Sequence, residues 1–149
     1  MENIYETNSS THVEPTILGA LKIGDHILIN NMPCKIYELS KAKTGKHGSC
    51  KVMLIALDIF LGKKYEISKT SSSSIEKVIV ERHNYFLTGI LDGYLNLMDE
   101  KFDSVNHFIL PDNELGQKIK KLYDEGKNIK IITLHAANKE MITDCQESD

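Results

Sequence analysis

Apolar residues in the first half of the chain come in short runs, and Gly, Asn, Pro or Ser residues stand between these runs. Runs of about four to eight residues bounded by such turn formers are typical of β-strands. Several short strands at this spacing favour a small antiparallel β-barrel. The predicted strands cover residues 26–30, 34–39, 51–58, 65–67 and 75–80.

The second half of the chain continues the strand pattern. An Asp92-Gly93 pair separates the first two of its strands. This dipeptide favours a two-residue hairpin turn, because both positions of that turn need a positive φ. The strands predicted for this half cover residues 85–90, 94–98, 102–110 and 129–134.

One segment of the second half has helical spacing instead. Apolar residues at i, i+4, i+7 and i+8 lie on one helical face. They are Leu115, Ile119, Leu122 and Tyr123. Pro111 and Asp112 are start signals and Gly126 is a stop signal, so we predict a helix over residues 112–125. Five strands and one helix outline an OB-fold, a common nucleic-acid-binding module.

The character of the chain changes near residue 81, where we place a domain boundary. Residues 1–15 are polar without an apolar period, so we expect a flexible arm. A β-barrel domain then covers residues 16–81, and an OB-fold domain with a flexible C-terminal tail covers residues 82–149. The serine run at 71–74 predicts a flexible surface loop, with a phosphorylated segment as the alternative.

Composition places the chain among globular proteins. Hydrophobic residues make up 41% and charged residues 26%, close to the globular norm. The longest apolar stretches fall far short of the roughly 20 residues that a membrane helix needs. The first residues lack the basic region and apolar core of a secretory signal. We therefore expect a cytoplasmic protein that makes no membrane contact.

The cysteines and histidines show no ligand pattern. Cys34, Cys50 and Cys145 have no CxxC spacing, which speaks against a disulfide framework and a structural zinc site. The six histidines are scattered, and none pairs with another at metal-ligand spacing. We predict reduced thiols, no metal site and no bound cofactor.

Charge separates the two halves more sharply than composition does. The formal net charge is −3, but residues 1–80 carry a net of +2 and residues 81–149 a net of −5. Between residues 35 and 51, five lysines oppose a single glutamate, which leaves a local net of +4. Such a basic segment on an otherwise acidic protein can direct one end of the molecule toward a polyanion.

The basic segment contains a lysine between two glycines. Lys46 stands between Gly45 and Gly48, in a loop that separates two predicted strands. Glycine suits a tight loop whose backbone a large partner can approach closely. From these features alone, Lys46 is either a functional residue or an ordinary solvated hairpin lysine.

Catalytic motifs do not fit this loop. Segments 40–43 and 43–45 match S-x-x-K and K-T-G, but they overlap and the chain contains no Ser-Asp-Asn. The loop is not a P-loop, because His47 stands where Ser or Thr binds magnesium. A Schiff-base lysine needs a desolvating pocket, which a basic glycine loop does not provide. We predict no catalytic residue.

The loop and its surroundings resemble one known family. The stretch from Lys43 to Gly48, K-T-G-K-H-G, followed by Lys51 and Val52, resembles the modification loop of the eukaryotic translation initiation factor 5A family, which is related to bacterial elongation factor P. Other segments resemble the family in the same order. They lie at residues 58–60, 62–66, 89–95 and 110–116.

The resemblance implies a fold and a modification. The fold is mainly β, with an N-terminal SH3-like barrel followed by a C-terminal OB-fold barrel that contains one short helix. The modification is hypusine on Lys46: deoxyhypusine synthase adds an aminobutyl group from spermidine, and deoxyhypusine hydroxylase completes it. The lengthened side chain carries a second amine and can reach phosphates that a plain lysine cannot.

The resemblance also implies partners. They are the ribosome, at the exit site of the large subunit, and the peptidyl-tRNA whose acceptor end the hypusine approaches. The implied effect is relief of stalling, notably at consecutive prolines, and assistance in termination. Positioning of the tRNA end accounts for this effect, and the ribosome supplies the chemistry. The chain is therefore expected not to be an enzyme.

The neighbours of Lys46 have supporting roles in this interpretation. Lys43 and Lys51 are candidates for contacts with RNA phosphates. Gly45 and Gly48 let the synthase and the tRNA approach. Thr44 and His47 hold the loop or bond to RNA. Ser49-Cys50 stands where the family usually carries His-Ala.

A different class of function stays open from the sequence. The chain could be a general RNA-binding OB-fold protein in which Lys46 is unmodified. The acidic second half speaks against this alternative, because binding of free RNA normally needs a basic groove.

Overall fold

A computed structural model describes residues 4–7, 12–43 and 50–148 of the chain. The described residues form two compact units, and the chain passes from one to the other between Val80 and Glu81, one residue before the predicted boundary. No helix within them is long and apolar enough to cross a membrane. The N-terminal unit contains residues 12–80 and 136–138, and the C-terminal unit contains residues 4–7, 81–135 and 139–148.

Strands dominate both units, as the sequence pattern predicts. A 3₁₀ helix at Leu18–Ala20 and one α-helix complete the elements that the described ranges contain. In chain order, these elements are β1 (Ile4–Glu6), β2 (Val13–Ile17), β3 (His26–Ile29), β4 (Met32–Lys43), β5 (Cys50–Asp58), β6 (Lys64–Thr70), β7 (Ser74–Val78), β8 (Glu81–Leu91), β9 (Tyr94–Met98), β10 (Ser104–Val105), α1 (Glu114–Asp124), β11 (Asn128–Ala136) and β12 (Lys139–Ser148).

The N-terminal unit is a six-stranded antiparallel sheet in the order β2-β7-β3-β4-β5-β6. Strand β5 shows why these residues form it: Val52, Leu54 and Ala56 are buried, whereas Lys51 before them and Met53 between them are exposed. A period of two puts one face of a strand on the core. The core of this unit comprises Leu18, Leu21, Ile27, Cys34, Ile36, Val52, Leu54 and Ala56.

The C-terminal unit is a second six-stranded sheet, in the order β1-β12-β11-β8-β9-β10. The predicted Asp92-Gly93 hairpin is confirmed: both residues have positive φ, 53° and 82°, and they join β8 to β9. Helix α1 packs against β12. The core of this unit comprises Tyr85, Leu95, Leu97, Phe108, Ile119, Ile129, Ile131, Ile142 and Cys145.

The predicted helix is confirmed, with its ends moved inward. It begins after Asn113 rather than at Asp112, because the Asn113 Oδ1 atom accepts a hydrogen bond from the Gly116 N–H at 3.1 Å and caps the first turn. It ends before Gly126, which has a φ of 73° and donates its N–H to the Tyr123 carbonyl at 3.0 Å.

The predicted flexible arm is wrong for residues 4–6 and 13–15. Residues 4–6 form β1, which pairs with β12, and residues 13–15 belong to β2, which pairs with β7. Tyr5 holds this polar segment in place, because its ring packs edge-on against the Phe108 ring with centroids 4.9 Å apart. The polar composition of the segment does not predict this contact. The Tyr5 hydroxyl also accepts a hydrogen bond from the Ile109 N–H at 2.9 Å.

The predicted flexible tail is also wrong. Residues 139–148 form β12, so the strand predicted at 129–134, observed as β11, is not the last one. Ile142 and Cys145 of β12 are buried in the core of the C-terminal unit. Polar residues surround them in the sequence, which conceals their burial from the hydropathy pattern.

The long strand predicted at residues 102–110 is mostly absent. Only Ser104–Val105 forms a strand, β10, and Ile109 makes an isolated bridge to Tyr94. Residues 102 and 103 belong instead to a turn built on Asp99, whose Oδ1 atom accepts hydrogen bonds from the N–H groups of Lys101 and Asp103, both at 2.9 Å. A side chain that satisfies the local backbone in this way competes with strand pairing.

Candidate functional site

The hairpin β4–β5 holds the two ends of the predicted modification loop side by side. Its ladder runs from Cys34 opposite Asp58 to Lys43 opposite Cys50. The six residues that connect Lys43 to Cys50 therefore begin and end on neighbouring strands. The predicted site residues Thr44, Gly45, Lys46, His47 and Gly48, and Ser49 after them, lie outside the described residues.

The two predicted phosphate-contacting lysines that the structure describes lie on opposite faces of this hairpin. Residues directly opposite each other in an antiparallel ladder share a face, and successive residues alternate. Lys43 shares its face with Cys50, whereas Lys51 shares the other face with Ala42. Both lysines are exposed. They therefore present positive charge on both sides of the loop.

A chain of hydrogen bonds braces the hairpin near its end. The Lys41 Nζ atom donates to the Gly19 carbonyl at 2.7 Å. The Gly19 N–H donates to the Ser71 carbonyl at 2.9 Å, and the Ser71 N–H donates to the Cys50 carbonyl at 2.7 Å. We call these four residues the brace. It links β4 to β5 through the 3₁₀ helix and the serine run.

The serine run thus forms part of the site. Residues 71–73 make a short turn between β6 and β7, in which the Ser73 N–H donates to the Thr70 carbonyl at 3.0 Å. The Leu18 N–H donates to the Ser73 carbonyl at 3.0 Å. The segment expected to be a flexible loop is a turn that is hydrogen-bonded to the 3₁₀ helix and to β5.

A β-bulge redirects the outer half of β4. The ladder with β5 shifts register between Ile36 and Glu38, so Tyr37 is an extra residue on β4. A bulge bends its strand and increases the local twist. Ile36 before the bulge is fully buried and Tyr37 is 51% exposed. Beyond the bulge only Leu39 of β4 still packs against the core, and the residues from Ser40 to Lys43 are exposed.

The end of the sheet next to the loop is cationic. Val52 lies between Lys41 on β4 and Lys69 on β6, and Lys51 lies opposite Thr70 in the next row. With Lys43, four exposed lysines stand in these last rows, and no carboxylate does so among the residues that the structure describes there. We call Lys41, Lys43, Lys51 and Lys69 the lysine rim. A rim of one sign attracts polyanions such as RNA.

Sequence reasoning missed the brace. Gly19 and Lys41 are 22 residues apart, and Ser71 lies in a serine run whose composition predicts a flexible loop. No motif or spacing joins these residues. A contact of this kind depends on strand register, which is specified by the whole sheet.

Family models match most of the chain in two parts. A model described as "Translation initiation factor 5A-like, N-terminal" matches residues 9–73. A second, described as "Eukaryotic elongation factor 5A hypusine, DNA-binding OB fold", matches residues 79–146. The predicted fold class, an SH3-like barrel followed by an OB-fold with one short helix, is confirmed.

Individual proteins are similar over nearly the whole length. Eukaryotic translation initiation factor 5A-2 of Schizosaccharomyces pombe is 40% identical over 90% of this chain and 79% of its own. Eukaryotic translation initiation factor 5A-1 of Saccharomyces cerevisiae is 36% identical over 99% of this chain and 95% of its own. A solved structure of a translation initiation factor eif-5a family protein from Naegleria fowleri superposes with a TM-score of 0.83 at 35% identity, covering 91% of this chain and 99% of that one.

Proposed function

Because this chain belongs to the eukaryotic translation initiation factor 5A family, we propose that it acts on the ribosome through a hypusine side chain on Lys46. The observation that carries the proposal is the braced hairpin, whose end presents the lysine rim and connects to residues 44–49. A lysine in the middle of such a segment is a candidate for modification by an enzyme and then for contact with RNA.

The modification changes both the reach and the charge of Lys46. In this proposal, deoxyhypusine synthase joins the aminobutyl group of spermidine to the Lys46 Nζ atom, and deoxyhypusine hydroxylase completes hypusine. The product has two cationic amines on one slender side chain. Amines donate charge-assisted hydrogen bonds to phosphate oxygens, and the lysine rim at the end of the hairpin adds to the positive potential there.

The modified side chain acts by positioning the peptidyl-tRNA. At the exit site of the large subunit, hypusine approaches the acceptor end of the tRNA and restricts it to geometries from which peptide transfer proceeds. Alignment of reacting groups removes part of an entropic barrier. Runs of proline and termination are the steps that benefit most. The ribosome carries out the chemistry in the cytoplasm, so this protein is an accessory factor and not an enzyme.

The positions of Lys43 and Lys51 support contacts on two sides of the loop. Since these side chains lie on opposite faces of the hairpin, they can bind phosphates of different RNA segments. The brace restrains the strands that carry both residues. The same arrangement gives the synthase a defined surface to recognise.

A conservative variant tests the role of Lys46. Lys46→Arg keeps the charge but removes the amine that the synthase modifies, so we expect synthesis across proline runs to fall to the level without the factor. The measurement is reporter translation in cells or extracts that depend on this protein. Lys121→Arg, an exposed lysine on α1, is the matched control and should keep full activity. Full activity of Lys46→Arg would contradict the proposal.

Mass analysis of the native protein separates this function from general RNA binding. Intact mass and peptide mapping of protein purified from its source should place hypusine on Lys46. An unmodified Lys46 in that sample would contradict the proposal and favour an RNA-binding protein with a plain lysine. Co-expression with synthase and hydroxylase provides the reference peptide.

A further inference from the structure

Three potential metal ligands meet on one face of the C-terminal sheet. Glu81 and His83 are two residues apart on β8, and His135 lies opposite Glu81 on β11. Residues at i and i+2 of a strand, and residues directly opposite, share a face. One ligand atom from each of the three lies within 4.8 Å of the others. The sheet itself therefore brings the three side chains together.

A buried carboxylate orients the ring of His83. The His83 Nδ1 atom is 3.1 Å from the Glu140 Oε2 atom, and Glu140 is only 5% exposed. The same oxygen accepts hydrogen bonds from the Tyr85 hydroxyl at 3.0 Å and the Thr133 hydroxyl at 2.6 Å.

This contact directs the second nitrogen of His83 toward Glu81. The Glu81 Oε2 atom lies 3.2 Å from the His83 Nε2 atom, so the ring lies between two carboxylates. A metal ion bound by the Nε2 atom and the Glu81 carboxylate takes the place of the proton that this hydrogen bond requires. Glu140 holds His83 in the manner of the carboxylates that commonly orient metal-binding histidines.

We propose that Glu81, His83 and His135 bind one Zn²⁺ ion, with water as a fourth ligand. Two imidazoles and one carboxylate form a donor set that Zn²⁺ accepts, whereas Mg²⁺ and Ca²⁺ favour oxygen ligands alone. Zn–N bonds of about 2.0–2.1 Å put neighbouring ligands roughly 3.3 Å apart. The Glu81–His83 pair already has this separation, and the three ligand atoms lie within 4.8 Å of one another.

The ring of His135 is held from the other side. The Thr7 Oγ1 atom lies 2.9 Å from the His135 Nε2 atom, and the His135 ring stacks on the His83 ring with centroids 5.4 Å apart. Glu81 and His83 side chains are 46% and 35% exposed, so an ion can enter from solvent and Glu81 can adjust. The site joins β8 to β11 and depends on no residue of the modification loop.

Zinc titration of the untagged full-length protein tests the proposal. Isothermal titration at neutral pH should give one equivalent of Zn²⁺, and Co²⁺ should give the visible absorption bands of a four-coordinate ion. Glu81→Gln and His83→Gln should each weaken binding at least about tenfold, and Glu140→Gln should weaken it by about 10–100-fold. His12→Gln, which changes an exposed histidine of the N-terminal unit, should leave binding unchanged.

A second readout excludes loss of folding as the cause. Zn²⁺ should raise the midpoint of thermal unfolding of the wild type, because a ligand that binds only the folded state stabilises it. Glu81→Gln alters an exposed side chain, so it should unfold at the wild-type temperature without zinc and gain nothing from zinc. The proposal would be overturned if His83→Gln still bound Zn²⁺ or if Cys50→Ser lost binding. It would also be overturned if the wild type bound no Zn²⁺, which would leave His83 as a residue that only exchanges a proton with its two carboxylate neighbours.

Discussion

Cys34 and Cys50 are both free thiols, but their surroundings differ. Cys34 is fully buried, and this burial, helped by the negative charge of Asp58, raises the pKa of its thiol to about 11. Cys50 is half-buried at the end of β5. The thiolate is the nucleophilic form of cysteine, so burial both hides Cys34 and keeps it protonated.

We expect alkylation to distinguish these two thiols. At about pH 8, only about one Cys34 thiol in a thousand is ionised, so iodoacetamide should label Cys50 while Cys34 stays unmodified. Labelling of Cys34 should increase as the pH rises toward its pKa of about 11. Peptide mapping by mass spectrometry measures both sites, and Cys50→Ser is the control. Equal labelling of the two at the lower pH would contradict the burial argument.

The start of α1 leaves no space for a side chain at position 116. A Cβ atom on Gly116 would lie 1.7 Å from the Pro111 carbonyl oxygen. Gly116→Ala must therefore displace the backbone, and we expect the free energy of unfolding of the C-terminal unit to fall by about 1–3 kcal/mol. Urea denaturation measures this loss. Gln117→Ala, the exposed next residue, should stay within about 0.5 kcal/mol, and equal losses would be evidence against the close contact.

The brace should matter for modification more than for stability. Lys41→Met removes the solvent-exposed hydrogen bond from Lys41 to the Gly19 carbonyl. A bond of this kind contributes about 0.5–1.5 kcal/mol to the free energy of unfolding. If the synthase recognises the braced hairpin, kcat/KM for modification of Lys46 should fall about twofold to tenfold. Lys69→Met removes the same charge from the same face of the sheet but not that bond. A fall of the same size in both variants would attribute the effect to charge alone.

Strand β1 lies at the edge of the C-terminal sheet and pairs with β12, the last strand of the described chain. Tyr5 of β1 lies opposite Glu140 of β12 and packs on Phe108. Tyr5→Ala should lower the free energy of unfolding of the C-terminal unit by about 1–3 kcal/mol and speed hydrogen exchange along β12, while β5 amides keep their protection. Glu6→Ala, an exposed neighbour, is the control. Unchanged exchange along β12 in Tyr5→Ala would show that β1 does not hold this edge.

Much of the fold was predictable because its signals are local. The alternation of buried and exposed residues in β5, the Asp92-Gly93 turn and the helical face of α1 each depend on neighbours within a few positions. Local backbone preferences and side-chain periods act over such distances. The position of Lys46 between two strands follows from the same signals.

Elements without a strong period were not predictable. Strands β1 and β12 lie in polar sequence, and their few apolar residues become informative only when Tyr5 meets Phe108 and Ile142 enters the core. The strand predicted at 102–110 shows the converse, because the Asp99 side chain satisfies the local backbone. In each case a specific contact outweighed the pattern.

The candidate sites divide in the same way. The sequence alone identifies Lys46, its glycines and the basic segment around it, because the composition and charge of a loop depend only on residues that are adjacent in the chain. The brace and the grouping of Glu81 with His135 exist only after folding. Both depend on strand order and register, which result from the packing of all strands together. Residues far apart in the chain therefore become neighbours in ways that their own surroundings do not predict.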